Sequence, residues 1–83
     1  MVNVTVHSKK DCHLCDSAKE TLLKLQQEIP FSLTEIDIEG DNRAFEKYKH
    51  LIPVIEIDGK KVFTYRVNEN ELKKLLRLRS QPQ

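Results

Sequence analysis

Hydrophobic and polar positions alternate with two different periods along the chain, and the change of period marks the predicted elements. Val2, Val4 and Val6 recur at every second position, which is typical of a strand with one buried face. From Asp11 to Glu28 the apolar residues recur every three or four positions, which predicts an amphipathic helix. Pro30 ends this helix, because proline lacks the N–H donor that a helix needs. The chain therefore begins with a strand followed by a helix.

The segment FSLTEIDI, which follows the first predicted helix, predicts a second strand. Its apolar alternation slips by one position in the middle, so we expect a bulge or bend near Glu35. Asp41 or Asn42 then offers a cap for a short second helix. The apolar face of that helix consists of Ala44, Phe45, Tyr48 and Leu51.

The second half of the chain predicts a hairpin and a closing helix. In PVIEIDGKKVFTYR, two runs rich in strand-forming residues flank Asp58 and Gly59, a pair suited to the positive φ angles of a tight turn. Asn68 and Glu71 then resemble a capping box, which typically begins a helix. That helix contains the apolar residues Leu72, Leu75 and Leu76 and the last-turn cations Arg77 and Arg79.

These elements predict an α/β fold in the order β-α-β-α-β-β-α. A strand, helix and strand in succession place the first two strands parallel, and the hairpin adds two antiparallel strands. We therefore expect a four-stranded mixed sheet with helices on both faces, and chemistry at the carboxyl ends of the parallel strands. Residues 1–79 are predicted to form a single domain, and residues 80–83 a loose C-terminal tail.

Composition and charge exclude several classes of protein. The chain has 83 residues, 39% of them apolar, and balances 14 basic against 13 acidic residues. No global field favours nucleic acid or an anionic membrane, and no apolar run has the length of a membrane-spanning helix. The N-terminus lacks a secretory pattern, so we expect a cytoplasmic protein. No heptad seam is present, and we expect a monomer.

The only two cysteines, Cys12 and Cys15, form a C-x-x-C pair between the first strand and the first helix. In this context the pair favours thiol–disulfide exchange, while zinc binding and an unused pair remain alternatives. Structural zinc sites use four ligands, and the chain offers no second pair of suitable spacing. Haem attachment requires a histidine after the second cysteine, but Asp16 occupies that position. The remaining candidate zinc ligands are His7, His13 and His50.

The surroundings of Cys12 favour a thiolate. A cysteine at a helix N-terminus faces unpaired N–H groups and the positive end of the helix dipole, which lowers the pKa of its thiol. Lys9 and Lys10 add positive charge upstream, and His13 adds more when it is protonated. The alternative is that these three residues are solvated surface groups, which is the more common role of neighbouring lysines in a loop. Cys15, one turn further along, is expected to be less exposed and to resolve a mixed disulfide formed by Cys12.

These motifs resemble the thioredoxin superfamily, and most closely its small glutaredoxin-like domains. The resemblance covers nearly the whole chain: the C-H-L-C pair, a strand opened by Pro53, the hairpin and the closing helix. It implies a thioredoxin-like (glutaredoxin-like) fold in which Cys12 is the nucleophile and Cys15 resolves. It also implies that Ile52 and Pro53 present backbone groups to the substrate, with the Ile52–Pro53 bond either cis or trans.

The resemblance further implies that Tyr65 and Arg66 line a substrate groove. Typical glutaredoxins carry C-P-Y-C, and after the fourth strand a Gly-Gly pair and an acidic residue that help to hold glutathione; the matching stretch here is TYRVNENE, without glycine. Two reductants are therefore predicted as alternatives for restoring the dithiol: glutathione and a flavoprotein thioredoxin reductase.

The predicted function is that of an oxidoreductase that reduces disulfides in proteins or small thiols and is reset by a reducing partner, with no bound cofactor or metal. The alternative is a non-catalytic module that senses redox state or holds a metal on the same fold.

Overall fold

The order of helices and strands in the computed structural model, which describes residues 1–80, confirms the predicted order. The strands are β1 (Asn3–Ser8), β2 (Ser32–Asp37), β3 (Val54–Ile57) and β4 (Lys60–Thr64). The helices are α1 (His13–Glu28), α2 (Asn42–Tyr48) and α3 (Glu69–Ser80). A short 3₁₀ turn, Ile38–Gly40, lies between β2 and α2.

The four strands form one mixed sheet in the order β2-β1-β3-β4. Strand β1 pairs in parallel with β2 and antiparallel with β3, and β3 pairs antiparallel with β4. The predicted bulge near Glu35 is wrong, because the register between β1 and β2 runs without a shift. The apolar pattern changes phase because Ile36, still within β2, is an exposed residue on the face opposite Leu33, and buried Ile38 lies beyond the strand in the 3₁₀ turn. The register shift of this sheet lies instead between Ile55 and Glu56, opposite β4.

Two apolar clusters confirm that helices cover both faces of the sheet. The larger cluster joins α1 and α3 to β1 and β3, and its fully buried members include Val4, Leu22, Ile55 and Leu72. Val54 precedes Ile55 and so points to the other face, where it joins Tyr48 of α2 in the second cluster. Both cysteines belong to this second cluster, Cys15 as a buried member and Cys12 at its edge.

Residues at the ends of the strands and helices explain where these elements begin and end. Asp58 and Gly59 take φ angles of 50° and 85°, as the predicted hairpin turn requires. The Asp41 side chain caps α2, and the Asn68 side chain accepts a hydrogen bond from the Glu71 N–H at 3.0 Å. Helix α1 begins at His13, two residues later than Asp11, because Asp11 has a left-handed φ of 56°.

The C-terminal helix runs one residue further than expected. Helix α3 includes Ser80, the first residue of the predicted tail 80–83, and the remainder of that tail lies outside the described residues. The domain boundary at residue 79 stays a prediction. Within residues 1–80, no helix combines the length and the apolar composition that crossing a membrane requires.

Candidate redox site

A disulfide joins Cys12 and Cys15 in the structure, at the junction of β1 and α1. Cys12 is the N-cap of α1, with extended backbone angles of φ −123° and ψ 105°. Its side chain is partly exposed, whereas Cys15, in the first turn of the helix, is 0% exposed. The two Cα atoms lie 5.2 Å apart. Cys12 is therefore the more accessible residue of the pair, and Cys15 belongs to the core.

The backbone of α1 directs a hydrogen-bond donor at the exposed sulfur. The Cys15 N–H donates to the Cys12 Sγ at 3.2 Å, and the Asp16 N–H donates to the Cys12 carbonyl at 3.0 Å. The sulfur thus occupies the position of a capping oxygen, at the positive end of the helix dipole. A thiolate formed at this position would receive that hydrogen bond with the added strength of a charged acceptor.

The three basic residues expected to modulate Cys12 lie around this junction. Lys9 and Lys10 lie in the exposed connection between β1 and α1, and His13 is the exposed first residue of α1. Because all three are exposed, solvent and salt screen their charges. Their influence on Cys12 stays a prediction.

The segment before β3 lies in the same cluster as the disulfide. The Ile52–Pro53 peptide bond is cis, Pro53 is fully buried, and Ile52 packs in the cluster that contains both cysteines. The Ile52 N–H donates to the Tyr48 carbonyl at 3.1 Å. This amide is already paired within the protein, so a substrate would have to bind the Ile52 carbonyl or displace that bond. A substrate-binding role for Ile52 and Pro53 stays a prediction.

A groove of about 210 Å³ lies between α1 and the segment that follows β4, and neither Cys12 nor Cys15 is among its lining residues. One wall consists of Leu14, Ser17, Ala18 and Thr21 of α1, and the other of residues 65–67. We call it the Tyr65 groove. The Tyr65 N–H donates to the carbonyls of Leu51 and Pro53 at 3.1 and 3.0 Å, which ties this wall to the cis-proline segment. Tyr65 thus lies beside the cis-proline segment and Arg66 lines the groove, while the contact of either residue with a substrate stays a prediction.

His7 and Glu56 form a buried pair at the carboxyl end of β1. The sequence did not predict this pair, because it indicated His7 only as a candidate metal ligand. The His7 side chain is 9% exposed, and its Nε2 lies 2.7 Å from Glu56 Oε1. Its ring stacks on Tyr48 with centroids 4.6 Å apart. The alternation of β1 indicates that His7 and Val6 lie on opposite faces of the sheet. It does not indicate which residue bonds to His7, because Glu56 lies 49 residues further along the chain.

The same pair does not extend into a metal site. In the part of the chain that the structure describes, His7 Nδ1 is buried without a hydrogen-bond partner. Across residues 1–80, no group of three or more His, Cys, Asp or Glu side chains is arranged to hold a metal ion.

The four-stranded mixed sheet, its helices and the C-x-x-C disulfide define a protein with the thioredoxin-like α/β fold. A mutant thioredoxin from Halobacterium salinarum has this fold, with a TM-score of 0.74 at 17% identity over 99% of this chain and 77% of that one. The chain belongs to the glutaredoxin-like domain (DUF836) family, whose model matches residues 3–77.

One relative and one further solved structure are also similar to this chain. The glutaredoxin-like protein YDR286C homolog of Dictyostelium discoideum is 35% identical over 77 residues, which cover 86% of this chain and 71% of that protein. The solution structure of protein Ne2328 from Nitrosomonas europaea superposes with a TM-score of 0.78 at 25% identity, over 90% of this chain and 91% of that one.

Proposed function

We propose that the protein is a thiol–disulfide oxidoreductase that reduces disulfides through Cys12 and Cys15. One observation carries the proposal: the two cysteines differ in exposure, and the sulfur of the partly exposed one, Cys12, accepts a hydrogen bond at the start of α1. Cys12 is the nucleophile because a substrate sulfur can reach it. Cys15 is the resolving thiol, because it is buried from substrates but is bonded to Cys12 in the structure.

The reaction begins with the reduced protein. The Cys12 thiolate attacks one sulfur of the substrate disulfide, forming a bond to that sulfur and releasing the other as a thiolate, which takes a proton. Cys15 then loses its proton and attacks Cys12 Sγ, which releases the second substrate thiolate. Two electrons and two protons pass to the substrate. The Cys12–Cys15 disulfide in the structure is the oxidised product of this cycle.

Two features of α1 support attack by Cys12. The N–H of Cys15 points at its sulfur, and the helix dipole places positive potential there. Both favour the charged form, so we expect the pKa of the Cys12 thiol to be lowered in the reduced protein. At a given pH a larger share of Cys12 is then available as the nucleophile.

The cycle requires partners outside the chain. The substrate is a disulfide-containing protein or a small-molecule disulfide, and either glutathione or a flavoprotein thioredoxin reductase restores the dithiol. We propose a cytoplasmic monomer without a bound cofactor and without affinity for nucleic acid or membranes. A reducing compartment such as the cytoplasm favours this cycle, because the dithiol must be regenerated after each turnover.

Reduction of insulin with dithiothreitol as electron donor tests the proposal. Cys12→Ser is expected to abolish turnover, because it removes the attacking sulfur. Cys15→Ser is expected to accumulate a mixed disulfide between Cys12 and the substrate, detectable by mass spectrometry. Leu23→Ala, a change at an exposed position of α1, serves as the control with unchanged turnover.

Brief alkylation of the reduced protein at neutral pH, followed by peptide mapping, assigns the roles of the two thiols. We expect label on Cys12 first. Preferential labelling of Cys15 would contradict the assignment. A wild-type protein that reduces no disulfide would favour the alternative, a non-catalytic module that senses redox state or holds a metal.

A further inference from the structure

The Tyr65 groove runs along α1 from a residue of the C-x-x-C segment and is long enough for a short peptide segment. Leu14, at its near end, lies between the two cysteines, and Thr21 marks the far end along α1. These two residues are about 10 Å apart along the helix axis, at about 1.5 Å per residue. An extended peptide advances about 3.3 Å per residue. About three residues that flank a substrate cysteine can therefore lie in the groove.

The walls of the Tyr65 groove present apolar side chains to solvent. Leu14 is 40% and Tyr65 47% exposed, one on each wall. Val67 and Ala18 continue the apolar lining. An apolar side chain of a bound substrate would cover this surface and remove it from water, which favours binding.

The backbone of Tyr65 adopts a conformation that is favourable for glycine but unfavourable for a residue with a side chain. Its φ is 67°, in the left-handed region, and its N–H is held there by the carbonyls of Leu51 and Pro53. Glycine would adopt the same conformation without a steric cost. Tyr65 is 47% exposed, so part of the residue is accessible to a ligand. Strain of this kind is typical of functional positions, which indicates that the side chain acts on something outside the fold.

The charges of the Tyr65 groove match a peptide segment better than they match glutathione. Among residues 1–80, Arg66 is the one charged residue that lines it, and Ser17 and Thr21 supply neutral hydroxyls. Each half of glutathione disulfide carries two carboxylates and an ammonium group, and these need several separate ionic partners. A segment of polypeptide chain is neutral along its backbone and needs none.

We propose that the Tyr65 groove selects disulfides in polypeptides that carry an apolar side chain next to the reacting cysteine, and that Tyr65 is the specificity-determining residue. This inference rests on the proposed function, since it names the substrate class of the same site. The electrons and protons move as in the cycle described above. Tyr65 and Leu14 contribute only contact with the flanking side chain.

Steady-state reduction of three substrates tests the proposal: two short peptide disulfides that have leucine or glycine beside the cysteine, and glutathione disulfide. For the wild type, kcat/KM for the leucine peptide is expected to exceed that for each of the others by about tenfold. Tyr65→Gly should bring the leucine-to-glycine ratio close to one, mainly by raising KM. Tyr65→Phe should retain the preference because it keeps the ring.

Two controls separate this preference from loss of structure. Tyr65→Gly suits the φ of 67°, so the fold should persist, as judged by an unchanged far-ultraviolet circular dichroism spectrum. Leu23→Ala removes an exposed apolar side chain of α1 that does not line the groove, and should leave the ratio unchanged.

The remaining outcomes contradict the inference, and they distinguish its failure from a failure of the proposed function. Equal kcat/KM for the two peptides, preference for glutathione disulfide, or a leucine preference that survives Tyr65→Gly would each overturn it while leaving the proposed function intact. Failure to reduce any of the three substrates, and also a small neutral disulfide such as hydroxyethyl disulfide, would overturn both.

Discussion

Breaking the buried contact between His7 and Glu56 is expected to destabilise the protein, because this contact joins two central strands of the sheet. The perturbation is a double-mutant cycle of His7→Phe, Glu56→Leu and the combined variant. Phenylalanine keeps a ring that can stack on Tyr48, and leucine keeps comparable volume at the β3 position. The cycle therefore isolates the polar contact from the packing of the two side chains.

The magnitude follows from the geometry of the pair. Nε2 and Oε1 are 2.7 Å apart, and the two side chains are only 9% and 19% exposed. A hydrogen bond to a charged group contributes about 1.5–3 kcal/mol when water is largely excluded. We expect a coupling free energy of about 2 kcal/mol. The combined variant should recover part of the loss, because it leaves neither a carboxylate nor an imidazole unpaired.

Urea unfolding of the oxidised protein, followed by circular dichroism, measures the four free energies of unfolding. The matched control is a cycle of Lys19→Gln and Glu35→Gln. Their charged atoms are also 2.7 Å apart, but the side chains are 27% and 56% exposed. Exposure should reduce the coupling of this pair to about 0.5 kcal/mol.

A coupling for His7 and Glu56 no larger than that of the exposed control pair would refute this reasoning. It would mean that burial adds nothing to the contact, or that the two side chains do not meet in solution. A change in the urea m-value of the single variants would indicate an altered unfolded state, and those values would then be excluded from the cycle.

Three further substitutions probe the core, the hairpin and a helix cap in the same unfolding assay. Leu22→Ala should lower the free energy of unfolding by about 3 kcal/mol, because Leu22 is fully buried, whereas the same change at exposed Leu23 should cost under about 0.5 kcal/mol. Gly59→Ala should cost about 1 kcal/mol because φ is 85°, and Gly40→Ala, which meets no atom within 4 Å, should cost less. Asp41→Ala should cost about 1 kcal/mol by uncapping α2, and equal stability of that variant and the wild type would contradict the capping role.

Elements defined by neighbouring residues were predicted well, and features that depend on distant residues were not. The alternation of Val2, Val4 and Val6 and the pair Asp58–Gly59 specify a strand and a turn within a few residues, and the structure contains both. The bulge near Glu35 was wrong, because an apolar residue on the exposed face of a regular strand, here Ile36, produces the same phase slip as a bulge. Only the continuous pairing with β1 distinguishes the two.

The sequence by itself determined the α/β order of the elements and the place of the C-x-x-C pair between a strand and a helix, because hydrophobic period, caps and turns act over short distances. The tertiary structure decided that Cys15 is buried while Cys12 is partly exposed, since burial depends on what packs against the first turn of α1. It also decided that Glu56 bonds to His7 and that Tyr65 forms a groove with α1. These contacts join residues far apart in the chain, so no local pattern contains them.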